Sequence, residues 1–304
     1  MTVGVRIEPV GIVADDGRLL RGTRFRPESA PVGYVLVAPA MATPARFYRQ
    51  FASWLASERQ LAVLTFEYRG TTADASALRR ENADLLTWAA DAAAALEHLD
   101  AERRSENPAG AITWIGHSFG GQILGFVRHD LLNAAILVAT GHGYFHHNPP
   151  HLRRRAPLLW RLVVPLTTRV SGYFPGRRLG ILGDLPSRVA RQWGRWCMHP
   201  DYWGADVQDI TQRHALVTHP VTLISLTDDA LVTPSGPKAL AAQLLNAPVT
   251  HARVHPSHFG VRTIGHHGLF RASMAHAWRD VFAIDVPRSD ATDAQRSYNP
   301  SSAA

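Results

Sequence analysis

Short apolar runs recurring between stretches of helical periodicity confine this chain to few architectures. Residues 34–38, 61–66, 112–115, 134–139 and 221–226 are such runs, rich in Val, Ile, Leu and Ala. Runs this short and this apolar suit strands covered on both faces. Helical patterns lie at 45–57, 83–102 and 119–128, with two more at 237–245 and 269–282. Strands alternating with helices imply βαβ units and a mostly parallel sheet. Ahead of them, 5–13 and 19–25 flank Asp15-Asp16-Gly17, a hairpin signal, and a last strand is expected at about 250–254.

The alternation stops after Ala139 and resumes at Val221. The intervening stretch is too long for a structureless loop. It is expected to form a helical cap over 142–211, inserted in a core made of 1–141 and 212–286. The tail, 287–304, rich in Ser, Asp, Pro and Ala, is expected to be disordered.

A hydrophobic share of 46% and a charged share of 19% argue against disorder and coiled coil for the chain as a whole. No apolar run is long enough for a membrane helix, and residues 1–10 show no secretory pattern, so a cytoplasmic protein is expected. Cys197, the single cysteine, has no disulfide partner. The net charge of +7 is uneven: residues 151–200 hold ten arginines against one acid, Asp184. The rest of the chain is therefore slightly acidic, which is not the pattern of a nucleic-acid binder.

Gly116-His117-Ser118-Phe119-Gly120 fits G-x-S-x-G, with a strand run before it and a helical pattern after it. That setting is the structural context of a nucleophile elbow. A strained turn lifts the serine Oγ above the sheet, and the glycines let strand and helix approach each other. The N–H of Phe119, at a helix start, can donate to a developing oxyanion. A second donor is expected from the loop Pro39-Ala40-Met41-Ala42, at the Met41 N–H.

A serine hydroxyl needs a base and an orienting acid, in the chain order Ser, Asp or Glu, His. The strand at 221–226 runs into Thr227-Asp228-Asp229, where ligand-side chemistry sits in open α/β sheets. Adjacent extended residues point to opposite sides, so only one acid can serve. Asp229 is favoured, with Asp228 the alternative. His266, between a glycine turn and a helix start, is the favoured base, with His267 and His258 as alternatives.

These segments resemble the α/β-hydrolase superfamily, in particular its serine aminopeptidase-like and uncharacterised bacterial branches. The likeness covers roughly residues 5–285. It rests on Gly116-His117-Ser118-Phe119-Gly120-Gly121, the Asp229…Val232…Pro234 turn, Gly265-His266 and Tyr68-Arg69-Gly70. Gly172-Tyr173-Phe174-Pro175-Gly176 and Trp193-Gly194-Arg195-Trp196-Cys197 in the cap also match. The resemblance implies the α/β-hydrolase fold and Ser-His-Asp hydrolysis without a cofactor. The His-Gly pair usual before the oxyanion loop is replaced by Pro39-Ala40.

The expected activity is hydrolysis of an ester, thioester or amide on a small-molecule acyl substrate, with no metal, no nucleic acid and no membrane-spanning segment. Acyl transfer to another acceptor is the alternative, and a non-catalytic receptor is a third reading. His117, Tyr144, Trp193 and Trp196 are candidate substrate contacts. The cap arginines either select an anionic group or lie on a solvated face, the second reading being favoured. His142, His146, His147 and His151 have metal-like spacing but no completing Cys or carboxylate, and are taken as loop histidines.

Overall fold

A computed structural model describes residues 4–282. The expected disordered tail lies outside them. Eight strands form one sheet, in the order β1-β2-β4-β3-β5-β6-β9-β10. They are β1 (Val5–Val13), β2 (Leu19–Pro27), β3 (Gly33–Ala38), β4 (Leu61–Phe66), β5 (Ala111–His117), β6 (Ala134–Val138), β9 (Val221–Leu226) and β10 (Val249–Val254). β1 and β2 form the expected antiparallel hairpin, β2 runs antiparallel to β4, and every pairing from β4 to β10 is parallel. The two short strands β7 (Tyr173–Phe174) and β8 (Leu185–Pro186) pair with each other inside the insertion.

The all-apolar runs are explained by cover on both faces of the sheet. In β3, Tyr34, Leu36 and Ala38 join one core while Val35 and Val37 join the other. The strand period of two sends alternate side chains to opposite sides. On the first side lies α3 (Leu85–Glu106), whose N-cap Asp84 accepts a hydrogen bond from the Thr87 N–H (2.9 Å). On the second side lies α1 (Arg49–Arg59), which buries Phe51, Ala52, Leu55 and Ala56. The short α2 (Ala75–Arg80) follows β4.

The helix expected over 119–128 is shorter than its pattern. Only α4 (Phe119–Gln122) is α-helical, and Leu124–Phe126 tightens into a 3-10 turn. Gly120, Gly121 and Gly125 are weak helix formers, and a side chain at Gly125 would collide with the His214 ring, 2.5 Å from its Cβ position. The pattern over 269–282 likewise resolves into a 3-10 segment, Ala272–Ala277, and one turn of helix, Trp278–Val281. Packing of Phe270, Trp278 and Phe282 around Phe51 shapes that segment more than helical periodicity does.

The insertion is helical. α5 (Pro150–Leu158), a π-helical turn (Leu159–Val163) and α6 (Val164–Ser171) form one continuous helix. Pro157 and Pro165 each remove a backbone donor beside the widened turn. Across it packs α7 (Ser187–Met198), with Trp160 edge-on to Trp193 at 4.9 Å. α7 is tied to the core where Gln192 Oε1 accepts the Leu85 N–H (2.5 Å) and Arg188 meets Asp84 (3.1 Å). α8 (Ile210–Ala215) leads back to β9, and α9 (Ser235–Ala241) and α10 (Gly265–Gly268) follow in the core.

Candidate active site

Ser118 stands at the end of β5 with φ 50° and ψ −111°, a conformation that non-glycine residues rarely adopt. Its neighbours hold it there. The Ser118 N–H donates to the Val138 carbonyl (2.9 Å), and Thr140 Oγ1 donates to the Ser118 carbonyl (3.2 Å). The glycines of the motif are steric necessities. A Cβ at Gly116 would lie 2.6 Å from the Gly121 backbone, and one at Gly120 would lie 2.1 Å from the Ala38 carbonyl oxygen. Trp114 Nε1 donates to the Gly120 carbonyl (3.1 Å), so the strand also grips the turn that follows it.

The two adjacent acids divide one task. Asp229 Oδ2 accepts from His266 Nδ1 at 2.8 Å, and the side chains are only 1% and 8% exposed. The other carboxylate oxygen of Asp229 accepts the N–H groups of Leu231 (2.7 Å) and Val232 (3.1 Å). Asp228 turns the other way and takes the N–H groups of Ile264 (2.7 Å) and Gly265 (3.0 Å), anchoring the backbone that carries His266. With Nδ1 bonded to Asp229, Nε2 is the other ring nitrogen of His266. Ser118 and His266 line one cavity, though no hydrogen bond between them is among the described contacts.

His258 is not beside Asp229: its Nδ1 accepts from the His255 N–H (3.4 Å) within the 255–259 turn. His267 lines the cavity, with Nε2 3.3 Å from Thr43 Oγ1, and burial lowers its pKa to about 4.

Beneath the serine runs a buried chain of hydrogen bonds. The Ala40 N–H donates to Tyr48 Oη (2.9 Å), Tyr48 Oη lies 2.8 Å from His117 Nδ1, and His117 Nε2 lies 2.9 Å from the His266 carbonyl. A carbonyl only accepts, so Nε2 carries the ring proton and Nδ1 accepts the tyrosine proton. Burial depresses the His117 pKa well below its usual value, which keeps the ring neutral as this arrangement requires. Met41 sits in the loop held at one end by this chain and at the other by the Thr43 N–H to the Ala40 carbonyl (3.1 Å). The Phe119 N–H opens α4 and has no intrahelical acceptor.

The cavity holds about 400 Å³. Its floor includes Met41, Ser118 and His266, and its roof comes from Leu152, Ala156, Leu159 and Trp160 of the long 150–171 helix with Trp193 and Cys197 of α7. Most of the lining is apolar; Gln122, His142 and Arg155 are among its polar members. Burial pushes the Cys197 thiol upward, so it lines the wall as a small apolar group.

Of the four expected substrate contacts, Trp193 alone lines this cavity. His117 shares the sheet face of Ile115 and packs on Tyr48 and Phe270, fully buried, because alternate residues of β5 point to the second core. Trp196 lies a third of a turn from Cys197 around α7. It packs toward Phe126 and Tyr202, and its Nε1 donates to Asp206 (2.7 Å). Tyr144 stacks on His146 at 4.9 Å outside the cavity lining. Conversely, Tyr48 and the roof residues of 152–160 carried no motif, and Asp228, the alternative acid, holds the loop backbone rather than the imidazole. Nothing local in the sequence marks a tyrosine seventy positions from its hydrogen-bonding histidine.

No family model matches the chain, and no curated protein matches it by sequence. Comparison of structures does find likenesses. Brefeldin A esterase, a bacterial homologue of human hormone-sensitive lipase, shares 16% identity at a TM-score of 0.60, over 93% of this chain and 77% of that one. The esterase domain of a Rhodothermus marinus protein shares 18% at 0.53, over 91% and 96%. Pyrococcus horikoshii acylaminoacyl peptidase shares 15% at 0.55, over 92% of this chain and 40% of that longer one. Strand order, the strained serine and these likenesses together define the α/β-hydrolase fold. The serine aminopeptidase-like branch remains a resemblance of motifs.

Proposed function

We propose that this chain is a cofactor-independent serine hydrolase that cleaves an ester, thioester or amide. The observation that carries the reading is one arrangement: a serine in a strained φ/ψ, opening into the cavity that His266 lines, with His266 Nδ1 2.8 Å from the buried Asp229. In this reading His266 Nε2 takes the Ser118 proton as Oγ attacks the acyl carbon. The carbonyl π electrons move onto oxygen, and the N–H groups of Met41 and Phe119 receive that charge. The imidazolium returns its proton to the leaving group, and the C–X bond breaks to leave an acyl-enzyme. Water, deprotonated by His266, then attacks the ester carbon and frees Ser118. Asp229 holds the tautomer throughout and stabilises the imidazolium.

The segment 142–211 acts as a cap in this reading, since its helices form the roof of the cavity. An apolar wall of this size suits an uncharged acyl or leaving group of moderate length. Labelling with a fluorophosphonate probe, lost in Ser118→Ala, tests the assignment; a wild-type protein that takes no label refutes it. A chain-length series of p-nitrophenyl esters then maps the cavity.

A further inference from the structure

The roof helix has an outer face as well as an inner one. Leu158, Leu162, Leu166 and Val170 follow one another at i, i+4 and are 58%, 56%, 56% and 78% exposed. Single exposed apolar side chains are ordinary, but four in register form a continuous stripe roughly 18 Å long. Core packing does not explain the stripe, because the same helix already turns Leu152, Ala156, Leu159 and Trp160 to the cavity.

Charge accompanies the stripe. Arg154 continues its row, and Arg161 and Arg169 stand three residues beyond Leu158 and Leu166, which places them alongside it. All three are exposed, and none is in a described ion pair. Arginines on α7 differ: Arg188 pairs with Asp84, Arg195 with Asp206, and Arg191 donates to Thr168. From 131 to 183 the chain contains no Asp or Glu to neutralise this face.

We propose that the outer face of the 150–171 helix docks on an anionic lipid surface. Leucine and valine side chains enter the acyl boundary while the guanidinium groups remain at the phosphates, as in helices that lie in the membrane interface. A second copy of the chain is a poor occupant, since self-pairing would bring like-charged arginines together. Nucleic acid would use the arginines and leave the stripe in water. This docking does not depend on the acyl chemistry proposed above.

The test is sedimentation of the full chain with phosphatidylcholine vesicles, with and without about a third phosphatidylglycerol. Binding to the anionic vesicles is expected to exceed binding to the neutral ones by about tenfold or more, and to weaken in high salt. Two double variants divide the face: Leu162→Asp with Leu166→Asp, and Arg161→Gln with Arg169→Gln. Each is expected to lose most of the binding while keeping wild-type circular dichroism and any turnover of a soluble ester. Wild-type protein that stays in the supernatant overturns the proposal, as do variants that sediment like wild type. Light scattering showing a dimer that the leucine variant dissociates would reassign the face to self-association.

Discussion

Asp228 and Asp229 are neighbours in the chain but act on different parts of the same loop: Asp228 accepts the Ile264 and Gly265 backbone N–H groups, and Asp229 accepts the His266 ring. One carboxylate sets where the loop lies and the other sets which imidazole nitrogen is protonated. This separation gives the two substitutions different signatures.

Asp229→Asn is expected to lower kcat by about four powers of ten with little change in KM, because the amide favours the wrong tautomer of His266. Both N–H groups end on one Asp228 oxygen, so Asp228→Asn can keep both bonds through its amide oxygen and loses the charge that strengthens them; its loss in kcat is expected to be roughly tenfold, with a lower Tm. Steady-state kinetics and thermal unfolding of both variants check the assignment. Equal losses in the two would show that the roles are not divided.

Tyr48→Phe removes the link between the Ala40 N–H and His117 Nδ1, leaving two buried polar groups without partners. The expected cost is about 1–3 kcal/mol of stability. Because the link joins the Met41 loop to the His266 backbone, kcat is expected to fall roughly tenfold with KM unchanged. A variant that loses stability alone would show the chain to be structural only.

Gly120→Ala places a Cβ 2.1 Å from the Ala38 carbonyl oxygen and 2.9 Å from that of Pro39, both backbone atoms that cannot rotate away. A loss of at least about 3 kcal/mol is expected, and failure to fold is consistent with it. Gly236→Ala meets nothing closer than 3.5 Å and is expected to stay within about 1 kcal/mol of wild type. Urea unfolding of the pair checks the contrast.

Burial lowers the pKa of His142 and His214 to about 4, from an ordinary value of 6.5. Below pH 6.5 the unfolded chain binds protons that the folded chain refuses, so stability is expected to fall as pH drops toward 4 and to level off below it. Urea midpoints across that interval measure the slope. A midpoint independent of pH there would mean that these rings are not neutral in the fold.

Much of this protein was legible from local pattern alone. Apolar runs of strand length announced both-faced burial in 34–38 and 61–66, and G-x-S-x-G between a strand and a helix located Ser118, because those constraints act within a few residues. Helix ends were less legible. The 119–128 pattern predicts one helix, but three glycines and the His214 ring, nearly ninety residues away, leave a single turn at its start.

Burial and partners were decided by tertiary structure. His117 and Ser118 are adjacent, yet the strained turn sends one hydroxyl to the cavity while strand alternation sends the neighbouring ring under it, to Tyr48 and the His266 carbonyl. Trp193 and Trp196 are three positions apart on α7, and the helical rotation between them separates cavity wall from core. Sequence determines which side chains are available and in what local order. Which of them meet depends on contacts between segments far apart in the chain, whose energies no short window of residues contains.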